Sequence, residues 1–365
     1  MKRLFYISMA ALMVLGAVSC KKDSDKKSSG SKNANCYIVS APGTYSFLAV
    51  KGNSSESVGE VDDVKVLWES SAAVTKVVPG DIIAGVYCNL PDPGQPTKIT
   101  YITPSTLQNG NALIAAYDSD GNILWSWHIW VCEGYDPSAK AQSWGGGTPK
   151  MMDRNLGATS ASPGSAESLG LMYQWGRKDP FPGGASIEDN KIASTTIAWP
   201  QHTVCSSESG TIEYATRHPQ VFIESRDETH DWLYDNTVTG ASTRWSSKKS
   251  IYDPCPAGWR VPDGGEKGFW AKALGAEEKI AHDFNTDVNG MLFGSNNSIF
   301  VPASGYLDYS DAKPYCIGTE GYCWTCTYSP EYEQAYEFKI SYSDDVSPFS
   351  LSDIAYGDAV RCCKE

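Results

Sequence analysis

Cysteines are the residues most able to do chemistry in this 365-residue chain, which has eleven of them. Cys323 and Cys326 form a C-x-x-C, "CWTC", and Cys362 and Cys363 stand side by side. A C-x-x-C becomes redox-active when its first thiolate sits at a helix N-terminus, where the dipole stabilises the charge. Here the pair lies in "GTEGYCWTCTYSPEYEQAYEF", an aromatic, Gly-containing, β-rich stretch with no βαβ pattern around it. A zinc site needs a second close pair, and only Cys362 and Cys363 offer one. Structural disulfide, thiol catalysis and zinc therefore compete for this cluster, and the structural reading leads. Cys255, pinned between Pro254 and Pro256, poses the same choice between nucleophile and staple.

Other chemistries find less to work with. The five histidines are His128, His202, His218, His230 and His282. None forms an H-E-x-x-H pair, and no G-x-S-x-G elbow is present. "DETHDW" sets His230 beside acids, but neighbours in sequence do not make a triad. "WGGGTPK" is glycine-rich without the P-loop spacing before its lysine. "DSDGN" spaces acids closely, yet its Gly121 comes fourth, where an EF-hand loop needs glycine sixth and glutamate twelfth. It reads as a tight turn, and His128, in an aromatic strand, reads as a packed residue. No catalytic residue, metal ligand or cofactor site is assigned.

The elements that position these residues fall into two regions. From Asn33 to about Pro137 the pattern is all-β. "CYIVSAPGTYSFLAV" gives two extended runs around "APG", a hairpin signal. "NALIAAYDSDGNILWSWHIWV" gives two strands about an Asp-Gly turn. In the second strand Trp125, Trp127 and Ile129 share one face, and Leu124, Ser126, His128 and Trp130 the other, so both faces are apolar enough for a covered central strand. Residues 35–138 are thus expected to form a β-sandwich-like domain. Residues 139–365 follow as a second domain, irregular around 183–250. In "YDPCPAGWRVPDGGEKGFW" three prolines hold residues 252–262 extended. A short helix then starts, with Asp263 and Glu266 as a capping box, Phe269, Trp270, Ala273 and Leu274 as the apolar face, and Gly275 as the stop.

The ends and the charge bound the setting. Lys2 and Arg3 precede the fifteen-residue apolar run "LFYISMAALMVLGAV" and then "AVSC". Residues 1–19 read as a lipoprotein signal peptide with Cys20 as the lipidation site, although Ala17 replaces the usual leucine. Residues 20–34 are polar and read as a flexible tether. The chain carries a formal charge of −13, and residues 1–19 contain Lys2 and Arg3 but no acid, so the remainder is near −15. Such a charge argues against nucleic-acid binding. Ten cysteines besides Cys20 allow up to five disulfides in an oxidising compartment. Twelve tryptophans and 20 tyrosines can fill cores or serve as binding platforms. Trp144, Tyr306, Tyr309, Tyr315, Tyr322 and Trp324 lie in polar, Gly/Ser-rich surroundings and are the candidate ligand-binding residues.

"MDRNLGA", "YQWGRKDPFP", "CPAGWRVP" and the terminal "AVRCCKE" stand in the order and spacing of the Fibrobacter succinogenes major paralogous domain, which residues from about 150 to 365 resemble. That resemblance implies an α+β, C-type-lectin-like or sulfatase-modifying-factor-like domain after the all-β one. It also implies a disulfide between Cys255 and Cys362, with Cys363 as an alternative partner, and Cys316, Cys323 and Cys326 remain disulfide candidates. "NCYIVSAPGTYSFLAVKGN" and "ILWSWHIWVCEGYDP" resemble N-terminal segments of Bacteroidetes surface lipoproteins and fimbrial tip-like proteins. This second likeness implies an outer-membrane, cell-surface lipoprotein with membrane, fimbrial-subunit or host/glycan partners. "CKKDSDKK" opens with lysines instead of the acids usual for surface export, so the periplasmic face stays open. Three functions follow: non-enzymatic binding or adhesion, glycan binding for carbohydrate uptake, and a thiol-dependent modifying-factor-like enzyme using Cys316 and Cys323. The modifying factor's signature around its cysteine pair is not evident. The calcium-holding motifs of sugar-binding lectins are absent from the second region.

Overall fold

Strand-forming runs dominate the chain, and the computed structural model turns them into several β-sheets with few, short helices. It describes residues 33–89, 94–183, 192–193, 201–225, 231–235, 244–275, 281–343 and 345–365. Cys20, the signal segment, the tether up to residue 32 and His230 lie outside the described residues. No helix of the described residues is long and apolar enough to cross a membrane.

The first sheet has the order β1 (Cys36–Val39), β7 (Ile123–Val131), β6 (Gly110–Tyr117), β3 (Asp63–Ser70) and β9 (Ile192–Ala193). A second sheet has β2 (Thr44–Leu48), β5 (Lys98–Ile102) and β4 (Gly85–Asn89) in that order. "APG" is therefore no hairpin. β1 runs parallel to β7 in one sheet, and β2 pairs antiparallel with β5 in the other. The short-range turn signal is real, but each flanking strand finds a larger apolar surface elsewhere. Both sheets share one core, with Phe47, Ile99 and Tyr101 facing Ile114, Trp127 and Ile129. "DSDGN" makes the turn between β6 and β7, with Gly121 at φ 83°. The Asp118 carboxylate accepts the amides of Asp120 and Asn122 at 3.0 and 2.8 Å.

β7 is covered on both faces. Trp125, Trp127 and Ile129 enter the core between the two sheets. Trp130 enters a different core, built with Trp68, Trp175, Trp232 and Trp324. That core draws on residues from both sides of position 138, and the described residues belong to one compact unit. His128 is buried there, with Nε2 2.9 Å from Asn111 Oδ1. Asn111 gives its own amide hydrogens to Gly157 O, so His128 Nε2 must be the donor to Oδ1. Burial pushes its pKa down to about 3, and the ring stays neutral.

The later chain adds four more sheets. The largest runs β17 (Pro314–Tyr315), β16 (Tyr306–Leu307), β21 (Gly357–Ala359), β18 (Glu320–Ser329), β19 (Gln334–Ser341) and β20 (Val346–Ser352), with β8 (Met172–Gln174) also paired to β21. A three-stranded antiparallel sheet follows β13 (His282–Asn285), β14 (Gly290–Phe293) and β15 (Ile299–Pro302). β10 (Gln201–Val204) and β11 (Val221–Glu224) pair in parallel, and β12 (Trp259–Arg260) pairs with β22 (Cys363–Lys364). The expected helix forms, but only over Phe269–Leu274. Its N-cap is Gly268, and Asp263 is not a cap: the carboxylate pairs with Arg260 at 2.6 Å. The guanidinium three residues back is the stronger partner for that carboxylate. Phe269, Trp270 and Ala273 are buried, Leu274 packs against the same core, and Gly275 follows the last turn.

Candidate functional site

The quoted motifs spend their polar groups on the fold. In "YQWGRKDPFP", Gln174 Nε2 donates to Ile223 O and Ala355 O, each at 2.8 Å. Arg177 donates to the carbonyls of Val221, Ala215 and His218, and Trp175 Nε1 to Thr325 O. In "MDRNLGA", Arg154 pairs with Asp153 and lies 4.0 Å over the Tyr135 ring. Near the C-terminus, buried Arg361 donates to Met152 O, Phe300 O and Gln142 Oε1. The Arg177 and Arg361 guanidiniums satisfy buried carbonyls that would otherwise lack partners.

"CPAGWRVP" is a corner held from several sides. The buried Asp253 carboxylate accepts the amides of Cys255 and Val261 at 2.9 and 3.0 Å. Lys249 Nζ donates to the carbonyls of Cys255, Pro256 and Trp259 and pairs with Glu365 at 3.3 Å. Cys255 is disulfide-bonded to Cys362, with their Cα atoms 6.1 Å apart. The choice between Cys362 and Cys363 follows from strand alternation. Cys362 faces the core that holds Cys255, and Cys363 faces the core of Trp144 and Trp270.

The same alternation separates "CWTC". Cys323 and Cys326 are three residues apart on β18 and point into different cores. Both are free thiols, as is Cys316, so these three disulfide candidates do not pair with one another. Burial pushes the Cys323 thiol up to about 12 and raises Cys326 well above the ordinary thiol range. No group of His, Cys, Asp and Glu among the described residues is arranged to hold a metal.

The aromatic candidates divide. Trp144 is 1% exposed, edge-on to Trp270 at 5.0 Å, and Trp324 is 0% exposed, with Nε1 donating to Tyr173 O. Both are core residues and present nothing to a ligand. Their Gly- and Ser-rich neighbours mark turns around a buried ring, not exposure of it.

The four tyrosines come together. Tyr306 on β16 pairs with Tyr315 on β17, and the rings lie 6.0 Å apart. A parallel bridge between Gly305 and Gly321 sets Tyr322 beside Tyr306, ring centres 5.4 Å apart at 89°. Tyr356, which sequence reasoning missed, stands between Tyr306 and Tyr309 at 5.2 and 4.9 Å, near right angles to both. Such edge-to-face contacts are the favoured geometry of aromatic pairs. Gly305 makes the approach possible: at φ 65°, a Cβ there would lie 2.1 Å from Tyr315 O. Ala312 and Cys316 also take left-handed φ values of 56° and 57°, each costing about 1–3 kcal/mol. Fully buried Ala312 fixes that loop to the core.

Acids ring this face. Tyr322 donates to Glu320, and Tyr315 to Asp311 Oδ2 at 3.1 Å. The Cys316 thiol lies against Tyr306 and Glu320, and burial followed by the Glu320 charge pushes its pKa up. Burial, then Cys316 and Asp308, push the Tyr306 hydroxyl up to about 12, so it stays protonated at neutral pH. Tyr315 and Ile317, 44% and 40% exposed, form the outer rim.

Close enough to act on Tyr322 lies a buried acid pair, Glu337 on β19 and Asp358 on β21, in mutual contact. Each keeps one oxygen without a hydrogen bond. Burial raises both pKa values, Glu337 to about 7. A carboxyl whose folded pKa exceeds its unfolded value stabilises the fold at low pH, and that contribution fades as pH rises through the folded value. Unfolding free energy should therefore fall from about pH 4.5 to above pH 7. Glu337→Gln should flatten that slope in urea titrations across this range. An unchanged slope would assign the pH dependence elsewhere.

No protein-family model, curated protein or solved structure matches the chain.

Proposed function

We propose that the chain is a cell-envelope lipoprotein with a non-enzymatic binding or adhesive role, anchored through Cys20 and fimbrium-associated. In this reading residues 35–138 are the β-sandwich-like part of one compact unit. Residues 139–365 are a C-type-lectin-like α+β domain of the major paralogous type, displayed at the outer membrane. The observation that carries it is the tyrosine face of Tyr306, Tyr309, Tyr315, Tyr322 and Tyr356. Partly exposed aromatic side chains fixed on strands make large contact areas at small entropic cost. Arg177 and Arg361 support the same reading from the other side, because most of their hydrogen bonds go to backbone carbonyls. The raised thiols of Cys316, Cys323 and Cys326 weigh against thiol catalysis, which needs a depressed pKa.

The second reading is glycan capture for uptake, since tyrosine rings also stack on sugars. Copurification with fimbriae and a glycan array separate the two. The adhesive role predicts fimbrial copurification that is lost in the Tyr309→Ala, Tyr315→Ala double variant. Array binding to a defined sugar, without fimbrial association, would replace it with the uptake role.

A further inference from the structure

We propose that the tyrosine face recognises a cationic protein segment, one that presents arginine or lysine side chains to the rings. This rests on the binding role given to that face and adds the chemistry of the ligand. Four acids approach the five rings. Glu320 accepts the Tyr322 hydroxyl and Asp311 the Tyr315 hydroxyl, while Asp308 lies close enough to act on Tyr306 and Tyr356 and Asp353 on Tyr356. The Asp308 carboxylate accepts from Ser310 N and Oγ at 2.9 and 2.5 Å and has no ion pair among the described residues. A partly exposed carboxylate beside aromatic faces is a complementary seat for a cation.

The protein already uses this arrangement internally. Lys339 Nζ lies 5.2 Å over the Tyr322 ring and 3.6 Å from Glu320. Lys313 Nζ is 2.9 Å from Asp311, which also accepts the Tyr315 hydroxyl. Each pairs one ammonium with one carboxylate and one tyrosine at the margin of the face. Asp308, between Tyr306 and Tyr309 in the chain, has the carboxylate and the rings without the cation. Arginine fits this seat best, because its planar guanidinium can stack on a ring while its edge donates to a carboxylate.

Calorimetric titration of the purified protein with a short arginine-rich peptide, and with the same peptide carrying citrulline for arginine, tests the inference. Citrulline keeps the shape and removes the charge. The arginine peptide should bind at least about tenfold more tightly. Asp308→Asn should weaken it by about tenfold with no change in thermal unfolding, and Asp63→Asn on β3, which removes the same charge elsewhere, should leave it unchanged. Equal binding of the two peptides, or equal effects of the two Asp variants, would overturn the cationic ligand. Loss of fimbrial copurification in the tyrosine double variant, together with no arginine preference, would reject this inference while leaving the binding role intact. Binding of a neutral sugar to the face that Asp308→Asn leaves unaltered, with no preference for the arginine peptide, would also overturn it.

Discussion

Replacing Cys255 with serine should lower the unfolding free energy by about 4–5 kcal/mol. The Cys255–Cys362 bridge joins residues 107 apart, so breaking it frees a long loop in the unfolded chain. The folded corner gains nothing in return. Asp253 and Lys249 still hold the backbone of residues 255–261, and the serine hydroxyl enters a fully buried site. Urea unfolding of wild type with and without reductant, beside Cys255→Ser, measures the effect. Reduced wild type and the variant should agree. Cys363→Ser, on the opposite face of the strand, should leave the reductant-sensitive part untouched. A Cys255→Ser protein within about 1 kcal/mol of oxidised wild type would contradict the corner's role.

Removing Arg244 should cost about 3–5 kcal/mol. Its guanidinium meets Asp231 with both nitrogens, at 2.9 and 2.8 Å, and both side chains are 1% exposed. It also lies 4.9 Å over Trp175 and 5.2 Å over Trp232. Gly176 belongs to the same packing, because a Cβ there would stand 2.5 Å from Arg244 Cβ. Arg244→Ala strands the Asp231 charge in the core and opens a void between two indoles. Arg244→Met combined with Asp231→Leu should recover much of the loss, since the pair's chief penalty is a lone buried charge. Denaturation in which the single variant loses less than about 1 kcal/mol would show that the carboxylate finds another partner.

The sequence is readable where a signal is local. Asp118 and Gly121 announce their turn, and the alternation of β7 divides Trp125, Trp127 and Ile129 from Trp130 between two cores. Where the partner is distant, local signals mislead. "APG" looks like a hairpin because nothing within fifteen residues reveals that β7 and β5 compete for its two strands. Asp263 looks like a helix cap because Arg260 is not weighed against it. Trp144 and Trp324 share their polar neighbourhoods with Tyr306 and Tyr315, and composition cannot tell a buried ring among turns from an exposed one. Tyr356 gave no signal, standing alone in "DIAYGDAV" until the pairing of β16 with β21 brings it to Tyr306. Glu337 and Asp358 escape for the same reason: their strands flank β18 on opposite sides.

These motifs build the fold, while the tyrosines that no motif contains form the partly exposed face to which the proposed binding role is assigned. The most direct test sets two variants on two axes, unfolding free energy and binding to purified fimbriae. Tyr309→Ala with Tyr315→Ala should abolish binding and leave a cooperatively folded protein, less stable by a few kcal/mol (about 1–3) for the lost ring contacts. Arg244→Met with Asp231→Leu, altered inside a motif-supported core, should keep binding at any stability that leaves it folded. Binding that survives loss of the tyrosines, or disappears in a folded protein changed only at Arg244 and Asp231, would contradict that division of labour.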